Sequence, residues 1–172
     1  MAEQEIPGFW ADPALEPKRN FRWILNIEGV EEWVIKKVNK PTITITEAKH
    51  EFLIHTFYYP GRVTFNDVKI TLADPIQPDS AARMMQILET SGYNFPDTAE
   101  ELRTISKANS TAALGEVTLR QINAAGEDIE VWTLTNAWVK EVNFGDLAYD
   151  SDDLVNIELT LKYDFATRRT ET

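Results

Sequence analysis

Between Leu154 and Phe165 the chain reads LVNIELTLKYDF. Val155, Ile157, Leu159, Leu161, Tyr163 and Phe165 share one parity. Asn156, Glu158, Thr160, Lys162 and Asp164 share the other. A period of two held this long is the signature of an extended strand, since only there do alternate side chains point to one face. At about 3.3 Å per residue the stretch would span roughly 40 Å as a single strand over 154–165. It has one dry face, with Val155, Ile157, Leu159 and Leu161 as predicted core positions, and one polar face. The rest of the chain has to cover the dry face.

The chain can supply that cover. It has 172 residues, 43 % of them hydrophobic, with five Trp and eight Phe. That suits one domain with a core of its own. There is no Cys, so no disulfide or thiolate chemistry is available. The net charge of −11 argues against a grip on nucleic acid, which needs Lys and Arg to displace counterions. The first residues, MAEQE, are acidic and lead into no apolar run, so no secretory signal is expected and synthesis is expected to be cytoplasmic. No stretch approaches the 18 or so apolar residues of a membrane span.

Residues 1–20, with Pro7, Pro13 and Pro17, read as an extended arm. It either docks by Phe9 and Trp10 or frays. A single domain is expected over 21–166 and a polar tail over 167–172. Phe21, Trp23, Leu25 and Ile27 alternate with polar residues and predict a first strand, and Trp33–Val38 predicts a second. After Pro41, β-branched and aromatic residues dominate TITITEAKHEFLIHTFYY, which predicts a long hairpin over 41–60 with a break at Glu47–Lys49 between its arms, followed by a turn at Pro60-Gly61. In its second arm Phe52, Ile54 and Tyr58 would face one way, and Leu53, Phe57 and Tyr59 the other. A strand apolar on both faces needs cover from a second sheet or from another chain. Val63–Ala73 predicts a further strand with a bulge near Asn66-Asp67.

The period then changes. Ala81, Met84, Ile87 and Leu88 fall at helical spacing after Asp79-Ser80 and before Gly92, which predicts one flanking helix over about 79–91. A shorter helix is expected after Pro96, with a capping box at Asp97/Glu100 or Thr98/Glu101. Asn109–Ala113 reads as a small-residue connection. Strands are expected at Glu116–Asn123, Asp128–Thr135, Asn136–Val142 and Asn143–Tyr149, about seven or eight in all. The expected fold is mainly β: an antiparallel β-sandwich or open barrel with a helix on one side.

Sequence signatures of chemistry are missing. There is no GxSxG, P-loop, HExxH or GxGxxG. His50 and His55, read as lying in one strand, fall on opposite faces and cannot share a metal. The acidic run at Asp150, Asp152 and Asp153 lacks the spacing of a calcium loop and reads as a solvated turn. Nothing selects a pair of carboxylates for glycoside chemistry. No catalytic residue, metal or cofactor is expected.

Two segments taken together resemble the tail tube protein of contractile-tailed, myovirus-type bacteriophages. They are PGRVTFNDVKITLAD (60–74) and LTNAWVKEVNFGDLAYDSDDLVNIELTLKYDF (134–165), with a helix between. The family is related to the tubes of contractile injection and type VI secretion systems. The resemblance implies a structural role: hexameric rings stacked into a hollow tube inside a tail sheath protein, on a baseplate hub or initiator. It implies that tape-measure protein and DNA pass through the lumen without specific binding. It also implies that the 41–60 hairpin bridges to the next ring through Phe52, Ile54, Phe57 and Tyr58. The alternatives are a baseplate tube-initiator, the tube of an injection or secretion system, or a monomeric ligand-binding β-sandwich.

Overall fold

The computed structural model describes residues 16–94 and 104–170. The ring pair Phe9/Trp10 and the helix expected after Pro96 lie outside the described residues. Among the described residues the strands are β1 (Trp23–Ile27), β2 (Ile35–Val38), β3 (Ile43–Phe52), β4 (His55–Phe65), β5 (Val68–Ala73), β6 (Val117–Ile122), β7 (Asp128–Thr135), β8 (Trp138–Asn143), β9 (Asn156–Lys162) and β10 (Phe165–Arg169). The helices are α1 (Ser80–Thr90) and α2 (Lys107–Leu114).

The alternating stretch near the end of the chain is two strands rather than one. β9 buries Ile157, Leu159 and Leu161 completely, and Tyr163 follows them into the core. At Asp164 the chain bends: its N–H donates to the Thr135 carbonyl at 3.0 Å, and its carboxylate accepts from Lys107 and Asn136. Beyond the bend the inward parity reverses. Ala166 packs on the core, and Phe165 stands half exposed. Alternation reports which parity is apolar but is blind to a change of sheet, so the sequence period ran on through the bend. Val155 precedes β9 and is only half-buried. The residues expected as a polar tail from Thr167 continue β10, which pairs antiparallel with β7 as far as Arg169 opposite Val131.

Two four-stranded antiparallel sheets result. One has the order β1-β6-β7-β10 and the other β2-β5-β9-β8. Between them lies one core of Leu25, Ile27, Val117, Leu119 and Leu134 from the first sheet and Val68, Ile70, Leu72, Ile157, Leu159 and Leu161 from the second. The protein is mainly β, a sandwich with a helical flank, as the period-two pattern required.

Among the described residues the flank has two helices. α1 is capped as expected, the Asp79 carboxylate accepting from the Ala82 N–H at 2.8 Å. It buries Met84 and Ile87. Gly92 follows at φ +111°, and a Cβ there would sit 2.7 Å from the Thr104 carbonyl oxygen, so both backbone and space require glycine. α2 occupies the stretch expected as a connection. Ser106 caps it by accepting from the Asn109 N–H at 3.2 Å, and Leu114 is fully buried. With one large apolar residue in KANSTAAL, the sequence offered no apolar stripe to detect. The strand expected over 143–149 does not form: β8 ends at Asn143, and the residues after it as far as Asp153 make an exposed loop.

Leu159→Ala should therefore lower the unfolding free energy by about 2–5 kcal/mol through the cavity it leaves. Phe165→Ala, half exposed beyond the bend, should cost about 1 kcal/mol or less. Urea denaturation of the two variants tests this; equal costs would mean that one continuous dry face runs to Phe165.

Candidate assembly surface

The two strands left outside both sheets are the most unusual part of the molecule. β3 and β4 pair only with each other. Register runs from Phe52 opposite His55, through His50 opposite Phe57 and Ala48 opposite Tyr59, to Ile43 opposite Phe65. The hairpin spans 43–65, longer than the 41–60 expected. Pro60-Gly61 is no turn but lies inside β4, where the register shifts between Ile45 and Glu47. There the Thr46 hydroxyl accepts from the Arg62 N–H at 2.8 Å. A Cβ on Gly61 would overlap that hydroxyl, so glycine is needed for the close approach. Proline tolerates the site because a bulge frees its position from donating.

The reversal is the two-residue turn Leu53-Ile54. Opposite residues of an antiparallel pair share a face. His50, Phe52, His55, Phe57 and Tyr59 therefore line one face, and Lys49, Glu51, Thr56 and Tyr58 line the other. Phe52 joins Phe57 and Tyr59, not Ile54 and Tyr58. The two histidines, read from sequence as one strand's opposite faces, sit on opposite arms and one face.

Apart from half-buried Phe65, every residue of β3 and β4 is exposed. Leu53 is 86 % exposed and Ile54 91 %. Both faces thus carry large apolar side chains that the described residues leave uncovered. Leu53 also adopts φ +54°. That left-handed region costs a residue with a Cβ about 1–2 kcal/mol, and two-residue hairpin turns ordinarily use Asn-Gly or a glycine there. Here the chain accepts strain to place Leu and Ile at the tip. Turn statistics expect Gly or Asn, so nothing at Leu53-Ile54 signals a reversal; the break expected at Glu47–Lys49 lies instead inside β3.

Two ion clusters stand at the base of the hairpin. Glu130 on β7 is buried, and its carboxylate accepts from Lys18, Lys40 (2.9 Å), Arg168 (3.4 Å) and the Trp132 indole. Burial pushes its pKa up, but the hydrogen bonds from Lys18, Lys40 and Trp132 outweigh that and hold it well below the usual carboxylate range. Asp67 lies between β4 and β5. Its two oxygens accept from Lys140 (2.6 Å) and Lys162 (2.8 Å), and hydrogen bonds from those two ammonium groups lower its pKa. Beside it the Tyr163 hydroxyl is buried without a hydrogen-bond partner among the described residues, and burial raises its pKa. Among the described residues no three His, Asp or Glu side chains come together to hold a metal ion. No described helix is long and apolar enough to cross a membrane.

Both depressed carboxylates contribute stability that is complete above their unfolded-state pKa, about 4, and is lost as pH falls toward the depressed values. Thermal midpoints should be insensitive to these groups from pH 5 to 8 and fall below about pH 4. Glu130→Gln should flatten that acid limb; an unchanged limb would show that Glu130 titrates normally.

No family model matches the chain, and no curated protein matches it. Solved structures do. A chain of the anti-feeding prophage cap, the AFP tube terminating cap, superposes with TM-score 0.65 at 18 % identity, over 91 % of this chain and 93 % of that one. A chain of the PVC sheath-tube complex in the extended state, from an extracellular contractile injection system, gives TM-score 0.65 at 17 % identity, over 90 % and 93 %. A type six secretion system protein gives TM-score 0.50 at 8 % identity, over 85 % and 81 %. The sandwich built here is thus a fold shared with chains of contractile injection assemblies.

Proposed function

We propose that this chain is a tube subunit of a contractile tail, acting by self-assembly and without catalysis or cofactor. Copies form hexameric rings that stack into a hollow tube in the virion tail, assembled in the host cytoplasm. A tail sheath protein surrounds the tube, and a baseplate hub or initiator starts it. Tape-measure protein and DNA pass along the lumen without specific binding. The net charge of −11 suits a passage from which phosphates are repelled.

The observation that carries this reading is the hairpin tip. A strained Leu53 and an extruded Ile54 make sense as a contact surface rather than as a device for folding. Phe52, Ile54, Phe57 and Tyr58 are the residues proposed to meet the next ring. The shared fold with chains of tube-bearing assemblies supports it. That same likeness favours a second reading, a subunit of an injection or secretion tube or of its terminating ring.

Negative-stain microscopy of the concentrated protein should show rings or tubes of uniform bore, whereas a monodisperse monomer would overturn the proposal. Single rings that never stack would favour the terminating role. Replacing Leu53 with Gly and Ile54 with Asn should raise monomer stability by about 1 kcal/mol, because glycine relieves the left-handed first position of the turn, and should abolish stacking. Tubes that form as well from that variant would remove the tip from the inter-ring contact. Phe57→Asp should likewise block stacking while changing monomer stability by no more than about 0.5 kcal/mol; global unfolding by circular dichroism would make Phe57 an ordinary core residue.

A further inference from the structure

β3 and β4 join neither four-stranded sheet; the hairpin follows on from the β2–β5 ladder, which runs past Val38 only as the bond from the Asn39 N–H to the Lys69 carbonyl at 3.2 Å. Direction has to be set at its two roots. At the entering root the Lys40 ammonium donates to Gln121 at 2.6 Å and to Glu130 at 2.9 Å, on β6 and β7 of the first sheet. At the leaving root Asp67 accepts from Lys140 on β8 and Lys162 on β9, both in the second sheet. The roots are also tied together. Asn66 N–H donates to the Thr42 carbonyl at 2.9 Å, and Lys69 N–H to the Asn39 side-chain oxygen at 2.5 Å. Apolar anchoring is slight: half-buried Phe65 meets Tyr163 with ring centroids 5.9 Å apart.

We infer that Lys40 with Glu130, and Asp67 with Lys140 and Lys162, are positioning residues that hold the hairpin at a fixed angle by clasping one root to each sheet. Partly exposed ion pairs add little to stability singly. Their effect here is leverage. An arm of about ten residues reaches roughly 33 Å, so a 10° swing at the root moves the tip by roughly 6 Å. Such a shift exceeds what a packed interface accommodates. Clasping one root to each sheet resists rotation about either sheet alone. The angle is a property of the single chain; its use in docking rests on the tube reading above.

The chain has no cysteine, so labels can be placed without background. Spin labels on Glu51→Cys, near the tip, and Glu127→Cys, in the β6–β7 turn, report the hairpin angle in dilute, unassembled protein. A single narrow distance distribution is expected. Asp67→Asn and Lys40→Gln should each widen it, and together by about twofold or more, with far-ultraviolet circular dichroism unchanged. Lys107→Gln removes the Lys107–Asp164 pair, 2.7 Å long but away from the roots, and should leave the distribution narrow. An unchanged distribution in the folded root variants, or equal widening by Lys107→Gln, would overturn the proposal. Where the parent chain forms tubes, both root variants should stack at least about tenfold less well with the tip intact, since every hairpin in a ring must be aligned at once. A parent chain that forms no tubes refutes the tube reading, and the distances then decide the clasps alone.

Discussion

The pairing of β5 with β9 is the constraint on which the rest of the molecule depends. Val68 lies opposite Leu161, Ile70 opposite Leu159 and Leu72 opposite Ile157, and all of these side chains are buried. A row this dry requires a second apolar layer, which β1, β6 and β7 provide through Leu25, Leu119 and Leu134. Once the two layers are together, the polar connections at Asn136 and at Asp164 can pass from one sheet to the other side by side, joined by the hydrogen bond between them. Lys107, at the start of α2, closes onto the same carboxylate and brings the helical flank to that crossing.

The hairpin lies outside this economy. Its residues bury almost nothing against the described residues, and its two strands pair with each other from Ile43 to Phe65 with both outer edges open. A two-stranded ribbon of this kind is marginal by itself. It persists because its ends are bound to a rigid body: Lys40 reaches the first sheet and Asp67 the second. The charge pairs that look redundant beside so large a core act where no core exists. Glu130 illustrates the physics. Burying a carboxylate is costly, and here the cost is offset by cations contributed from the segment before β1, the hairpin root and β10.

Much of the fold could be read from residue order, where physics is local. The alternation of Ile157, Leu159 and Leu161, the helical spacing of Met84 and Ile87, and the Asp79 cap each depend on neighbours within a few positions. Three features escaped. The bend at Asp164 depends on Thr135, Asn136 and Lys107, distant in sequence. α2 has almost no apolar stripe and is a helix because Leu114 and Ser110 find a place against the core. The turn at Leu53-Ile54 breaks turn chemistry outright, so a reading by preference passed over it for the polar break at Glu47–Lys49.

By itself, the sequence determined the class of fold and the apolar character of the 41–60 region, since period and composition are properties of the chain alone. It also determined that those aromatics need more cover than one sheet supplies. Tertiary structure decided where the cover is missing. Whether Phe57, Tyr58 and Ile54 are core or surface depends on whether another layer of this chain reaches them, and none of the described residues does so. It also decided that a strained leucine stands at the tip and that charge, held at two roots, aims it. Those outcomes follow from contacts between distant segments, which the local pattern of a sequence does not encode.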